Sequence, residues 1–198
     1  YSVLFFSILL LAHIQAVVIP IILGIKSLNK FINISKNKMI PLGFIFFGLA
    51  SIAEMIDHTQ TSWIYVDHSS LFNWLFYSFL SLGLTCLSIS VIKNKFIQTT
   101  NLCISFCSII SYFLFDKTIA LFFQAIISVF LIINWHRIFK DWILILYPIF
   151  GIFCTTFFGT NLSNSGEQFW HIFIGPSGTI SVLSFYLVLQ RYDKNKPT

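Results

Sequence analysis

Seven long apolar runs constrain this chain more than any other feature of its sequence. Each run is long enough to cross a bilayer core of about 30 Å as an α-helix, which rises about 1.5 Å per residue. The runs cover residues 2–25, 40–58, 69–92, 98–115, 118–136, 142–160 and 168–190. No series of short alternating segments predicts a β-barrel. The sequence therefore predicts an all-α polytopic membrane protein in which residues 1–198 form a single seven-helix transmembrane domain.

The amino-acid composition agrees with a membrane location. Hydrophobic residues make up 57% of the 198 residues and charged residues only 10%, whereas a soluble domain carries about 25% charged residues. So few charges cannot cover the surface of a soluble protein of this size. A cytosolic globular enzyme, a nucleic-acid-binding domain and a disordered chain are therefore excluded. The expected partners are membrane lipid and, as an open alternative, other membrane subunits, but not nucleic acid.

The basic residues predict an orientation in the membrane. Of the 12 Lys and Arg residues, all but Lys117 fall on the side that carries the segments after the first, third, fifth and seventh runs. Cytoplasmic loops of membrane proteins carry the excess of Lys and Arg. The N-terminus is therefore predicted to lie outside and the C-terminus in the cytoplasm.

Acidic and histidine residues concentrate on the predicted outer side. Glu54 lies four residues before His58 and three before Asp57, so these side chains share one helical face. Glu167 and His171 repeat the four-residue spacing at the start of the seventh run, which is antiparallel to the second. One outer pocket is therefore predicted to collect the following polar residues: Ser51, Glu54, Asp57, His58, Asp67, His68, Glu167 and His171.

This combination of residue types favours a metal site. Ionisable groups inside a membrane are costly, tend to face the bundle interior and often mark functional sites. Imidazole and carboxylate groups bind zinc and other divalent metals. The expected metal ligands are His58, His68, His171 and Asp57. Glu54, with Asp67 and Ser51 near it, would take a proton from a metal-bound water as the catalytic base.

Several of these residues also have simpler structural interpretations. Asp67 and Ser70 are suited to the N-terminus of the third helix, and Glu167 to that of the seventh. His13, near the middle of the first run, is a candidate for a metal ligand, a proton relay or a hydrogen bond to a neighbouring helix. The motif Gly175-Pro176-Ser177-Gly178 predicts either a discontinuous helix that lines a cavity or a kink that packs on a neighbour.

The arrangement of seven helices, with His58 ending the second, Asp67 opening the third and His171 early in the seventh, resembles the CREST superfamily. This group contains alkaline ceramidases and adiponectin-receptor-like proteins. The resemblance implies a zinc-dependent membrane hydrolase of lipid amides, with those residues in the family's site and Ser51 as its serine. Two positions depart from the family pattern. Gly175 stands where the family has its second histidine of the seventh helix, and Glu54, not a serine, stands four residues before His58.

Together these features predict an integral membrane metal-dependent hydrolase that acts on a lipid amide or ester at the outer face. Two alternatives stay open. The first is a non-enzymatic membrane subunit or small transporter whose outer acidic cluster captures a cation or a partner. The second is a haem or redox-metal protein, which requires two histidines that face each other across helices. His13 together with His58, His68 or His171 is the only supply of such a pair.

Overall fold

The described part of the protein consists of α-helices and short connections. A computed structural model describes residues 3–28, 30–31, 38–60, 70–115, 117–144 and 167–194. The helices are α1 (Val3–Ser27), α2 (Met39–Gln60), α3 (Leu71–Ser90), α4 (Lys95–Leu114), α5 (Lys117–Phe139) and α6 (Glu167–Lys194). The first and last residue of each helix lie within four positions of the corresponding ends of a predicted span, so the all-helical prediction is confirmed for these residues.

Five of these helices, α1 to α5, are long and apolar enough to cross a membrane. Helix α6 has 28 residues, which corresponds to about 42 Å of helix. Nearly all of the predicted span 142–160 lies outside the described residues. The count of seven spans and the orientation of the termini therefore stay predictions for this chain.

Polar residues determine where two of the helices begin. Ser70 precedes α3, and its Oγ accepts a hydrogen bond from the Asn73 backbone N–H at 3.0 Å. Asn94 precedes α4, and its Oδ1 accepts from the Phe96 backbone N–H at 2.9 Å. Each side chain satisfies a backbone donor that the first turn of a helix leaves without a partner. The predicted capping role of Ser70 is confirmed.

Helix α3 is central, since it packs against α2, α4 and α5. Buried polar side chains join it to α4 and α5. The Ser81 and Ser108 hydroxyls are 2.9 Å apart, and the Gln124 amide donates to Ser81 Oγ at 3.0 Å and to the Tyr77 carbonyl at 2.8 Å. Lipid is as apolar as the helix surface, so moving that surface from lipid to a helix contact gains little free energy. Interhelical hydrogen bonds such as these therefore help hold the bundle together.

Close packing of small residues brings α2 and α3 together. A Cβ atom added at Gly83 would lie 3.1 Å from the Gly43 carbonyl oxygen of α2 and 3.3 Å from the Phe47 ring. A side chain at residue 83 would therefore separate the two helices. Small residues at such contacts are typical of helix pairs in membranes.

Helix α6 runs without interruption through Pro176, so a discontinuous helix is not observed. Pro176 lacks the backbone N–H that a helix interior uses, and membrane helices tolerate this loss when they are packed in a bundle. The motif was also expected to line a cavity, and both Gly175 and Gly178 do so.

Most of the apolar core lies in a different half of the bundle from His13, Glu54 and His58. Large, fully buried side chains form the core near the connection between α1 and α2: Phe31, Phe44, Trp135 and Phe185. His13, Glu54 and His58 lie further from that connection along the antiparallel helices α1 and α2. The half of the bundle away from the core is therefore where a functional site is to be sought.

Candidate functional site

Three titratable side chains meet between α1 and α2. His13, Glu54 and His58 each offer one ligand atom, and these atoms all lie within 4.8 Å of one another. Both histidines are buried, and Glu54 is half-buried. We refer to these three residues as the His–Glu–His cluster. Within the described residues it is the only group of three or more His, Cys, Asp or Glu side chains spaced for a metal ion.

His13 is held in a defined orientation by its own helix. Its Nδ1 lies 2.8 Å from the Leu9 carbonyl oxygen, one turn earlier in α1. A carbonyl can only accept a hydrogen bond, so Nδ1 carries the proton. In the neutral ring the lone pair is then on Nε2. The His13 ring meets His58 edge-on, with ring centroids 5.1 Å apart and planes at 71°.

Glu54 and His58 come together because they are four residues apart in one helix. This spacing places both side chains on the face of α2 that packs against α1. His13 reaches the same level because α1 and α2 are antiparallel. It lies 14 positions before the end of α1 at Ser27, and Glu54 lies 15 positions after the start of α2 at Met39. Nearly equal distances from a shared connection imply similar depth, which the sequence indicates, but depth alone does not determine which side chains meet.

Asp57 serves the start of α3. Its Oδ1 accepts a short hydrogen bond from the Ser70 hydroxyl, while Ser70 Oγ accepts from the first turn of that helix. The carboxylate is 1% exposed. A negative charge near a helix N-terminus is stabilised by the helix dipole. The structure thus places Asp57 in a link between α2 and α3, whereas the metal-ligand role predicted for it stays a prediction.

We expect that replacing Asp57 with alanine will lower the free energy of unfolding by about 1–3 kcal/mol. The change removes both a buried acceptor and a charge at the helix N-terminus. Asp57→Asn should cost less, because an amide oxygen can still accept from Ser70. The measurement is thermal unfolding in detergent followed by circular dichroism.

Asp141→Asn is the matched control for Asp57. Asp141 pairs with Arg191 at 3.3 Å, and the Arg191 side chain is 57% exposed. Exposed ion pairs contribute little, so a change of at most about 0.5 kcal/mol is expected. If Asp57→Ala and Asp141→Asn lower the free energy of unfolding equally, the role assigned to Asp57 is contradicted.

A cavity of about 190 Å³ lies beside the His–Glu–His cluster. Residues of helices α1, α2, α3 and α6 line it, and most of its lining is apolar. The lining residues are Ala16, Pro20, Phe47, Ser51, Glu54, Phe76, Leu80, Gly175, Gly178, Thr179, Ser181, Val182 and Phe185. Glu54 belongs to both the cavity wall and the cluster. Ser51, predicted to share a site with Glu54, does line the same cavity.

Three hydroxyl groups of residues in this wall keep the capacity to accept hydrogen bonds. The Ser51, Thr179 and Ser181 hydroxyls donate to backbone carbonyls four residues earlier in their own helices, at 3.2, 3.0 and 3.0 Å. Each hydroxyl has one proton and two lone pairs. The polar part of the wall therefore suits a molecule that donates a hydrogen bond.

Some predicted site residues lie outside the described part of the chain. Asp67 and His68 fall in the segment between Gln60 and Ser70, which is not described. The backbone of His171 lies in α6, but its side chain, like that of Glu167, is outside the described residues. Their predicted roles therefore stay predictions.

The fold defines the class of protein. Helices of membrane-spanning length line a cavity with a polar edge, which describes a multi-pass integral membrane protein. The chain belongs to the family 7TM_cyano, described as "Seven transmembrane receptor", whose profile matches residues 4–195. No curated protein and no solved structure gives a significant match.

This membership corrects the resemblance stated from the sequence. The matching family is one of seven-transmembrane receptors, so the assignment to the CREST superfamily is wrong. Histidine and aspartate at helix ends occur wherever a membrane protein builds a polar site, and a few such positions do not distinguish families. The roles carried over from that superfamily to His58, Asp67, His171 and Ser51 lose this support, as does the hydrolase activity.

Proposed function

We propose that this chain is a non-enzymatic, receptor-type membrane protein whose cavity binds a small, mainly apolar molecule with one hydrogen-bond donor. The observation that carries the proposal is the cavity lined by α1, α2, α3 and α6. Pockets between the helices of a bundle, apolar with a few polar groups, are typical ligand sites. Membership of a seven-transmembrane receptor family supports the same conclusion.

The size and lining of the cavity limit its ligand. An engineered cavity of about 150 Å³ holds one benzene molecule, so this cavity of about 190 Å³ suits a molecule slightly larger than benzene. Its acceptors at Ser51, Thr179 and Ser181 favour an alcohol or amine over an ether or ketone. The expected ligand is therefore a small aromatic or branched alcohol or amine, or the end of a lipid that carries such a group.

Receptor function requires that the ligand favour one arrangement of the helices over another. The cavity wall meets this requirement, since α6 contributes Gly175, Gly178 and Thr179 opposite residues of α1 to α3. A bound molecule contacts helices that are distant in sequence and so can shift their relative position. The haem alternative does not suit His13 and His58, because their rings touch edge-on and leave no room for a flat macrocycle between them.

The cavity can be tested with two probes of similar shape, 4-fluorobenzyl alcohol and 1-ethyl-4-fluorobenzene, by fluorine NMR on the purified protein in detergent. We expect the alcohol to bind more tightly by about 2–10-fold, which corresponds to one hydrogen bond of about 0.5–1.5 kcal/mol. Gly178→Phe should abolish binding of both probes. A Cβ atom added at Gly178 meets nothing within 4 Å, so the ring can enter the cavity.

Ile180→Phe is the matched control for this test. It adds an aromatic ring to the same helix at a position that is 45% exposed. Probe binding to this variant should equal that of the wild type, which also corrects for probe dissolved in detergent. Equal probe binding by the wild type and Gly178→Phe would refute the ligand site.

A further inference from the structure

We propose that the His–Glu–His cluster is a binding site for one divalent transition-metal ion, with zinc as the reference ion. The site is formed by His13 of α1 together with Glu54 and His58 of α2. The proposal does not depend on a ligand in the cavity, because all three ligands belong to α1 and α2. It assigns to Glu54 a place in the coordination shell, whereas the sequence predicted a catalytic base.

The distances between the ligand atoms suit a metal after small side-chain movements. Zinc–ligand distances of about 2.0–2.2 Å in a tetrahedral site place the ligand atoms about 3.3–3.6 Å apart. In this structure all of them lie within 4.8 Å of one another. Closing the remaining gap needs side-chain shifts of roughly one ångström, without any movement of a helix.

His13 is already oriented as metal-binding histidines usually are. Such residues donate the other ring N–H to a carboxylate or a backbone carbonyl, which fixes the tautomer and the ring orientation. The hydrogen bond from His13 Nδ1 to the Leu9 carbonyl at 2.8 Å has this form. It leaves Nε2 as the ligand atom.

The donor set selects a class of metal. Two imidazoles and one carboxylate bind zinc in many proteins, and the same set binds iron(II) and manganese(II). The cluster consists of two histidines and one glutamate, without a thiolate, and such harder ligands do not favour copper(I). Three protein ligands leave at least one coordination position for water or a bound molecule. Glu54 also borders the cavity, so the metal would lie next to the ligand site.

The location of the cluster supports the same proposal. A charged side chain within a bilayer is expensive, and a divalent cation would compensate the negative charge of Glu54 between the two helices. Stoichiometric uptake of metal distinguishes such a site from a cluster held only by hydrogen bonds.

The experiment uses the full chain purified in detergent, stripped with a chelator and titrated with zinc and with cobalt(II). We expect about one equivalent of zinc per chain by elemental analysis, as for a mononuclear site. Cobalt should give the intense visible absorption of a four-coordinate ion, and zinc should raise the unfolding temperature. His13→Asn and His58→Asn should each weaken metal binding by at least about 100-fold, and Glu54→Gln by at least about tenfold.

Two controls make the result decisive. His136→Asn changes a described histidine that lies at the other end of the bundle, next to Trp142, and should bind metal as the wild type does. Gly178→Phe should also keep the metal, which separates failure of the cavity proposal from failure of this one. A folded wild-type protein that takes up neither ion would overturn the metal site, as would cluster variants with wild-type affinity. Circular dichroism and size-exclusion chromatography report whether each variant is folded.

Discussion

Replacing Trp135 with alanine should lower the free energy of unfolding by about 3 kcal/mol. Trp135 is fully buried, and its Nε1 donates to the Leu87 carbonyl of α3 at 2.8 Å. Its ring also meets Phe185 of α6, with ring centroids 5.1 Å apart. Loss of a buried Trp costs about 3–5 kcal/mol in soluble proteins. The lower end is expected here, because lipid is as apolar as the core and only packing and the hydrogen bond are lost.

The measurement is thermal or chemical unfolding in detergent, with Trp142→Ala as the matched control. Trp142 is 70% exposed, so the same substitution there should change the free energy of unfolding by about 0.5 kcal/mol or less. The large effect at Trp135 would show that α5 is joined to α3 and α6 through this side chain. Comparable losses for the two variants would contradict the packing described for the core.

Replacing Gly175 with valine should lower the free energy of unfolding by about 1–3 kcal/mol, the usual cost of overpacking. A Cβ atom at this position would lie 3.0 Å from the Ala12 carbonyl oxygen of α1. Backbone cannot rotate away as a side chain can, so α6 must move outward. The change should also weaken binding of 4-fluorobenzyl alcohol, because Gly175 is part of the cavity wall.

Gly178→Val provides a matched control in the same helix. The substitution is identical, and any gain in helix propensity is the same, but a Cβ atom at Gly178 contacts nothing within 4 Å. The difference in unfolding free energy between the two variants therefore isolates the contact between α6 and α1. If Gly175→Val is as stable as Gly178→Val, this contact does not hold α6 in place.

The helices were predictable because lipid imposes a simple requirement on the backbone. A spanning segment must satisfy its own hydrogen bonds, so apolar length alone predicts a helix. Ser70 was a correct candidate for a helix start because capping is local. The break expected at Pro176 did not occur, because a helix packed in a membrane bundle can tolerate a proline and a local motif does not reveal that packing.

The family was the part of the interpretation that local motifs predicted wrongly. His58, Asp67 and His171 near helix ends suggested a hydrolase superfamily, whereas the match over nearly the whole chain shows a receptor family. A few polar residues indicate that a site exists, because such residues are costly in lipid. They do not determine its chemistry, which depends on the partners that the fold brings to each of them.

The sequence by itself determined the membrane class, the bounds of the described helices and the shared face of Glu54 and His58. These features follow from hydropathy and from the helical repeat, which act over neighbouring residues. Only the tertiary structure decided that His13 joins Glu54 and His58, that Asp57 pairs with Ser70, and that α6 completes a cavity. These contacts join different helices, and the packing of small residues and buried polar groups that selects their partners is a property of the whole bundle.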